Sequence, residues 1–200
     1  MNYLALDTSG KHLTLIAENN GRVFDFFDPD CGVNHSVRLM PEIENLLIKA
    51  DMQLSDADFF AAAVGAGSFT GIRIGVSTVK ALAFATNKSV LNITSFDTIA
   101  YNIDNGKVLA VIDAKHNGFY VCPYENGTAG KAEFITGERL KEFSDYRFLS
   151  GEKIAGVETE VVSVKEGFYR AIARKQSEIT ADVNALKPLY VRKSQAEEGR

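Results

Sequence analysis

The spacing of hydrophobic and polar positions changes several times along the chain, and each change predicts an element. Tyr3-Leu4-Ala5-Leu6 is a short apolar run, Asp7-Thr8-Ser9-Gly10 is turn chemistry, and Leu13 to Glu18 reads as a returning strand. Asn19-Asn20-Gly21 marks a hairpin turn before Val23-Phe24-Asp25-Phe26-Phe27, so the first three strands form an antiparallel meander. From Ser36, a candidate N-cap, to about Ala50 the period becomes helical. Leu39, Met40, Ile43, Leu46, Leu47 and Ala50 share one arc of that helix, the expected core face. Val37, Pro41 and Ile48 share a second arc with Glu44. A surface helix needs one apolar stripe, so the second points to a further partner.

Phe59 to Val64 reads as a buried strand, and Gly65-Ala66-Gly67-Ser68-Phe69-Thr70-Gly71 as a glycine-rich loop leading into a helix from about Gly71 to Asn87. Ile72, Val76, Val79 and Ala83 occupy one side of this helix, and Ile74, Ala81 and Ala85 nearly the opposite side. Arg73, Ser77 and Lys80 make a narrow polar strip, interrupted by Phe84. A helix apolar almost all round must be covered almost all round, by its own fold or by another chain.

Beyond it, Ser89 to Ser95 is a short strand, and Ser95 or Asp97 caps a helix running to Asn102. Asp104-Asn105-Gly106-Lys107 is a turn and a candidate lobe boundary, dividing the chain into residues 1–104 and 105–200. Val108 to Asp113 and Phe119 to Tyr124 form a second hairpin. Asn126 to Lys131 is a loop, Arg139 to Phe143 a weak helix, Phe148-Leu149 a strand end, and Glu166 to Lys175 a helix. Each half thus opens with a strand ending in an Asp, Asp7 and then Asp113, followed by a turn and another strand. This echo suggests a duplicated, two-lobed α/β architecture.

Composition narrows the function classes. In 200 residues the hydrophobic share is 46% and the charged share 24%, enough for a real core and against disorder. With 22 Lys+Arg against 26 Asp+Glu the net charge is −4, a poor balance for binding RNA alone. Cys31 and Cys122 make no disulfide framework and read as buried thiols. No segment has the roughly 20 apolar residues of a membrane span, and the start has no signal-peptide pattern, so the expected compartment is the cytoplasm.

The glycine-rich loop is the sharpest local feature, because glycines before a helix let a phosphate approach backbone N–H groups. Its spacing fails the usual tests: Thr70 stands where a dinucleotide fingerprint needs Gly, and Gly71 is followed by Ile72 rather than the lysine of a P-loop. Ser68 lacks the flanking glycines of a nucleophile elbow, having Ala66 and Thr70 there. A loop built for close helix packing is favoured over a phosphate cradle. His12, His35 and His116 are scattered and read as surface or cap residues, without a nucleophile–base signature. Cys31 and His35 are four apart, but Leu39 occupies the next step where a metal-binding helix would place histidine. No catalytic residue, metal or cofactor is expected. Arg192 and Lys193 are a small basic patch, favoured as a solvated end.

Several segments together resemble the TsaB (YeaZ) family. They are Leu4-Ala5-Leu6-Asp7-Thr8-Ser9, His35-Ser36-Val37-Arg38-Leu39-Met40-Pro41, Gly67-Ser68-Phe69-Thr70-Gly71-Ile72-Arg73-Ile74-Gly75, Val111-Ile112-Asp113-Ala114 and Pro188-Leu189-Tyr190-Val191-Arg192. The resemblance implies a two-lobed actin/Hsp70/sugar-kinase-like fold, a duplicated ribonuclease H-like arrangement. It implies a non-catalytic subunit in threonylcarbamoyladenosine synthesis at tRNA position 37. Such a subunit binds a paralogous TsaD-like transferase, with a TsaE-like ATPase joining and tRNA reached indirectly. The partner, or a second copy of the chain in a homodimer, is met through the first two helices, here by Val37, Pro41, Glu44, Ile48, Arg73, Ser77, Lys80 and Phe84. Asp7, Thr8, Gly67, Ser68 and Thr70 then read as remnants of a nucleotide cleft. The alternative is an ATP-binding, small kinase-like enzyme of the same fold. A protease reading ranks last.

Overall fold

The computed structural model describes residues 1–192; Lys193 of the basic patch lies outside the described residues. The chain opens with β1 (Tyr3–Asp7), β2 (Leu13–Asn19) and β3 (Arg22–Asp28), an antiparallel meander. Asn20 and Gly21 both have positive φ, 52° and 77°, the backbone a tight hairpin with native twist requires. Then follow α1 (His35–Lys49), β4 (Phe59–Ala63), α2 (Phe69–Thr86) and β5 (Ser89–Ile93). The sheet order is β3-β2-β1-β4-β5, with β4 parallel to β1 and β5 parallel to β4. α1 packs on β2 and β3, α2 packs on β1, β4 and β5, and the two helices touch. β1 and β4 are buried at every position, which is why Tyr3-Leu4-Ala5-Leu6 and Phe59-Phe60-Ala61-Ala62-Ala63 are continuous rather than alternating apolar runs.

The second half repeats that order. After α3 (Ser95–Ala100) come β6 (Lys107–Asp113), β7 (Gly118–Glu125), β8 (Thr128–Ala129), β9 (Glu133–Thr136), β10 (Arg147–Ser150), β11 (Glu160–Val161) and α4 (Val164–Arg174). β6 pairs antiparallel with β7 and parallel with β10, as β1 does with β2 and β4. β9 continues the meander on β7, and β11 lies parallel outside β10. Where the first half has α1, the second has a 3-10 helix, Gly137–Phe143. Where the first half has α2, it has only loop between β10 and β11. The repeated strand order is the duplicated, two-lobed α/β arrangement of the actin/Hsp70/sugar-kinase class, with a slimmer second half.

By contacts the chain divides into two units, each discontinuous. The first is Met1–Ile93 with Ile172–Pro188; the second is Thr94–Ala171 with the described residues from Leu189. In the first, Thr180 extends the sheet edge by exchanging backbone hydrogen bonds of 2.8 and 3.0 Å with Val90, and Asn92 donates to the Ala185 carbonyl at 3.0 Å. In the second, Leu109, Val111, Phe119, Val121, Ile135, Leu140 and Ile154 form a buried cluster on one side of the sheet. Among the described residues no helix is long and apolar enough to cross a membrane.

Several local expectations are corrected. Ser36 is not the cap of α1: a 3-10 turn, Gly32–Asn34, runs directly into the helix, so helical backbone begins before Ser36 and that side chain is exposed. α2 starts at Phe69, with Ser68 as its cap accepting the Gly71 N–H at 3.2 Å. α3 is capped by Thr94 rather than Ser95 or Asp97. The Thr94 hydroxyl accepts the Asp97 N–H at 3.0 Å while the Asp97 carboxylate accepts the Thr94 N–H at 2.8 Å, a reciprocal capping box. Met40, placed on the core arc of α1, is exposed, since the buried arc follows His35, Leu39, Ile43 and Leu46.

Candidate partner-docking face and glycine-rich loop

Both crossover helices carry surface that their own sheet does not cover. On α1 the side opposite the core presents Val37, Pro41, Glu44 and Ile48, all exposed. On α2, Arg73, Ser77 and Phe84 are exposed and Lys80 is half-buried, while Ile72, Gly75, Val76, Val79 and Ala83 face the sheet. Each set steps by four, three and four residues, so each forms a seam along one side of its helix. Val37 is 72% exposed, Ile48 77% and Phe84 83%, values at odds with burial as the ordinary fate of large apolar groups. Pro41 lacks the N–H that would bond the Val37 carbonyl, leaving that acceptor on the same exposed side.

A groove of about 640 Å³ beside α2 is lined by Phe69, Thr70, Arg73, Ile74, Val76, Ser77, Lys80 and Pro188, with no residue of α1. The Arg73 guanidinium lies over the Phe69 ring, 3.8 Å from its centroid. Sequence reasoning missed Phe69, Ile74 and Pro188 as lining residues. Phe69 reads as part of the loop until helix α2 is seen to include it, four residues ahead of Arg73.

The glycine-rich loop is pressed against the β1–β2 turn. Ser68 donates its backbone N–H to the Ser9 carbonyl at 2.7 Å, and the Thr8 hydroxyl donates to the Gly71 carbonyl at 2.7 Å. A Cβ at Gly67 would collide with the Ser9 carbonyl, at Gly71 with the Thr8 carbonyl, and at Gly75 with the Thr8 hydroxyl. Gly67 also has φ of +148°, a backbone that favours glycine. The glycines thus admit the protein's own backbone to the start of α2. Of the residues grouped as a cleft, Asp7 and Thr8 are buried and Gly67 sits against their turn. Ser68 is turned to cap α2, and Thr70 lines the α2 groove.

Asp7 is only 1% exposed. It accepts the Ser9 N–H at 2.8 Å and the Ser9 hydroxyl at 2.7 Å, and faces His12 Nε2 at 3.1 Å. Burial alone would raise its pKa; the His12 imidazolium and the Ser9 donors outweigh burial and hold the carboxyl below its ordinary range. A serine, a histidine and an aspartate therefore meet, with both Ser9 and His12 on Asp7 and the one proton of the Ser9 hydroxyl donated to that carboxylate. A nucleophile needs the base on its own hydroxyl, so this arrangement is not a catalytic triad. The expectation of surface or cap histidines is corrected for two of them. His35 is buried and donates from Nε2 to the His12 carbonyl at 2.8 Å, and His12 is largely covered through Asp7. Cys31 and Cys122 are free and buried, and burial with the neighbouring Asp97 carboxylate pushes the Cys122 thiol up to about 12. Among the described residues no group of three or more His, Cys, Asp and Glu side chains is placed to hold a metal.

Comparison with known proteins sets this geometry in a family. The pattern of the TsaD family, described as tRNA N6-adenosine threonylcarbamoyltransferase, matches residues 29–161. The chain belongs to this family, on its TsaB (YeaZ) side. The tRNA threonylcarbamoyladenosine biosynthesis protein TsaB of Bacillus subtilis is 29% identical over 98% of this chain and 96% of its own. The protein of that name from Escherichia coli K12 is 31% identical over 65% of this chain and 58% of its own. YeaZ from Pseudomonas aeruginosa, 23% identical, shares the fold with a TM-score of 0.79 over 94% of this chain and 99% of that one. The TsaD-family match runs through α1 and α2 with both exposed seams and begins after Asp7 and Thr8.

Proposed function

We propose that this chain is the non-catalytic TsaB-type subunit of a tRNA threonylcarbamoyladenosine-modification complex, acting in the cytoplasm by binding and supporting a TsaD-like transferase. The observation that carries the docking role is the pair of exposed seams on α1 and α2, with Val37, Ile48 and Phe84 each more than two-thirds uncovered. Isolated apolar side chains on a surface are ordinary, but Val37, Pro41 and Ile48 recur along one exposed side of α1, and Phe84 stands uncovered on α2, which α1 touches; a helix–helix interface uses such a face. The Ser9–Asp7–His12 arrangement supports a binding rather than a hydrolytic role, because the serine hydroxyl donates its proton to a buried carboxylate that also faces the histidine, rather than to the imidazole a hydrolytic triad uses. A TsaE-like ATPase joins the assembly in this reading, and tRNA is reached through the transferase.

The test is complex formation between the purified chain and its cognate TsaD-like transferase, followed by gel filtration and calorimetry. Val37→Asp, Ile48→Asp and Phe84→Asp are expected to fold normally and to weaken association by about tenfold or more each, as buried interface anchors do. Unchanged assembly by all three variants would remove this face from the proposal.

A further inference from the structure

Residues 8–12 tie the turn between β1 and β2 to the starts of both exposed helices. On the α2 side, the Thr8 hydroxyl donates to the Gly71 carbonyl at 2.7 Å. The Ser9 carbonyl accepts the N–H of Ser68, the cap of that helix, at 2.7 Å. On the α1 side, the Lys11 carbonyl accepts the Gly32 N–H at 2.8 Å, where the 3-10 turn leading into the helix begins. The His12 carbonyl accepts from Nε2 of His35, the first residue of α1, at 2.8 Å. Asp7 braces this turn from within, accepting from Ser9 and facing His12 Nε2.

The second half of the chain supplies an internal control. Its central strand ends in Asp113-Ala114-Lys115 where the first has Asp7-Thr8-Ser9. That turn too meets the element standing in for α1: the Asn117 carbonyl accepts the N–H of Gly137, first residue of the 3-10 helix, at 3.2 Å. Only loop stands in for α2 there, and the residue in the place of Thr8 is alanine. The hydroxyl that holds α2 thus occurs in the half that has α2.

A binding face made by two helices keeps its affinity when their relative placement is set in advance, because ordering at the moment of binding subtracts from it. We propose that the β1–β2 turn is a shared anchor fixing α1 and α2 against each other, with Thr8 and His35 as positioning residues for partner binding. This rests on the docking reading above and adds what holds the docking face in shape. Neither side chain is placed to touch a partner, Thr8 being 0% exposed and His35 4%. Each acts through the turn, so loosening one helix start from it loosens the other.

The experiment combines amide hydrogen exchange of the full chain with calorimetry against its cognate TsaD-like transferase. Thr8→Val keeps shape and removes the hydroxyl, while Thr8→Ser keeps the hydroxyl. His35→Leu removes the ring donor, while His35→Gln keeps an N–H donor. Thermal melts first confirm folding, and Thr8→Ala or His35→Met replaces a variant that fails to fold. Thr8→Val should speed exchange in the first turn of α1, and His35→Leu in the first turn of α2, a crossed effect that purely local packing would not give. Each should weaken transferase binding about tenfold, with Thr8→Ser and His35→Gln near wild type. The double variant should lose less than the product of the two single losses, since either break releases the same anchor. Exchange confined to the altered helix, or fully multiplicative losses, overturns the shared anchor. Equal losses in Thr8→Ser and His35→Gln overturn it too, assigning the effect to packing. Unchanged affinity in Thr8→Val and His35→Leu, while Phe84→Asp remains defective, overturns the positioning role and leaves the docking reading intact. A wild-type chain that never binds the transferase overturns both.

Discussion

Asp7 and Asp113 end the central strands of the two sheets in the same way: each accepts the backbone N–H two residues on, from Ser9 at 2.8 Å and from Lys115 at 2.7 Å. The sequence echo between the halves is thus also an echo of turn chemistry. The surroundings then diverge. Asp7 is buried with His12 and Ser9, whereas Asp113 is half-buried and pairs with the exposed Lys115 ammonium at 2.8 Å.

This difference sets an acid-stability prediction. Both carboxyls are held below their ordinary range, Asp7 against full burial and Asp113 against slight burial. A depressed carboxyl stabilises the fold fully above its unfolded pKa, about 3.9, and that contribution is lost as pH falls through the lower folded value. Asp7→Asn should therefore cost about 3 kcal/mol at neutral pH, by breaking a buried pair, and should flatten the loss of stability below about pH 4. Urea unfolding across a pH series measures both; an Asp7→Asn variant with an unchanged acid limb would refute it.

Gly71→Ala and Gly75→Ala should destabilise the protein, although alanine ordinarily improves a helix by about 1 kcal/mol over glycine. The new methyl groups would run into the Thr8 carbonyl and hydroxyl. Overpacking of this kind costs about 1–3 kcal/mol, so the sign of the helix-propensity effect is reversed. Thermal or urea denaturation of the two variants decides between the opposed signs.

Tyr124→Phe should cost about 1–3 kcal/mol. The Tyr124 hydroxyl, buried in the second unit, donates to Asp97 at 2.7 Å, and Asp97 also completes the capping box of α3. Burial and the adjacent Asp97 carboxylate drive the Tyr124 phenol strongly upward. In an alkaline absorbance titration this tyrosine should remain un-ionised until the protein unfolds.

Calorimetry with ATP and Mg²⁺ should give no heat of binding at about millimolar nucleotide, an affinity worth about 4 kcal/mol. The backbone of Thr8 and Ser9 lies directly against the loop and first turn that would otherwise be offered to phosphate. Tight ATP binding that Asp7→Ala abolishes would restore the small-kinase alternative.

Much of this architecture was legible in the residues, for identifiable reasons. The continuous runs of β1 and β4 and the two-sided patterns of α1 and α2 are strong signals because burial repeats over many positions. β9 escaped notice because four residues, Glu133-Phe134-Ile135-Thr136, bury only Ile135 and follow polar loop chemistry. The cap of α3 was displaced by one residue because Thr94, Ser95 and Asp97 all have capping chemistry, and only geometry selects Thr94. The Asp7–His12 contact joins a strand end to the far side of its turn, and no periodicity reports which way those two side chains point. The seam on α1 is legible as surplus apolar positions and that on α2 as a narrow polar strip broken by Phe84, whereas the groove depends on Pro188, more than a hundred residues after Phe69.

The exchange of segments between the units bears on how the chain matures during synthesis. The sheet of the first unit is bordered by Thr180 and braced at Asn92 by the Ala185 carbonyl. Residues 1–93 therefore cannot complete their unit until residues 172–188 have been made, and the unit between those segments is itself finished only by residues from Leu189 on.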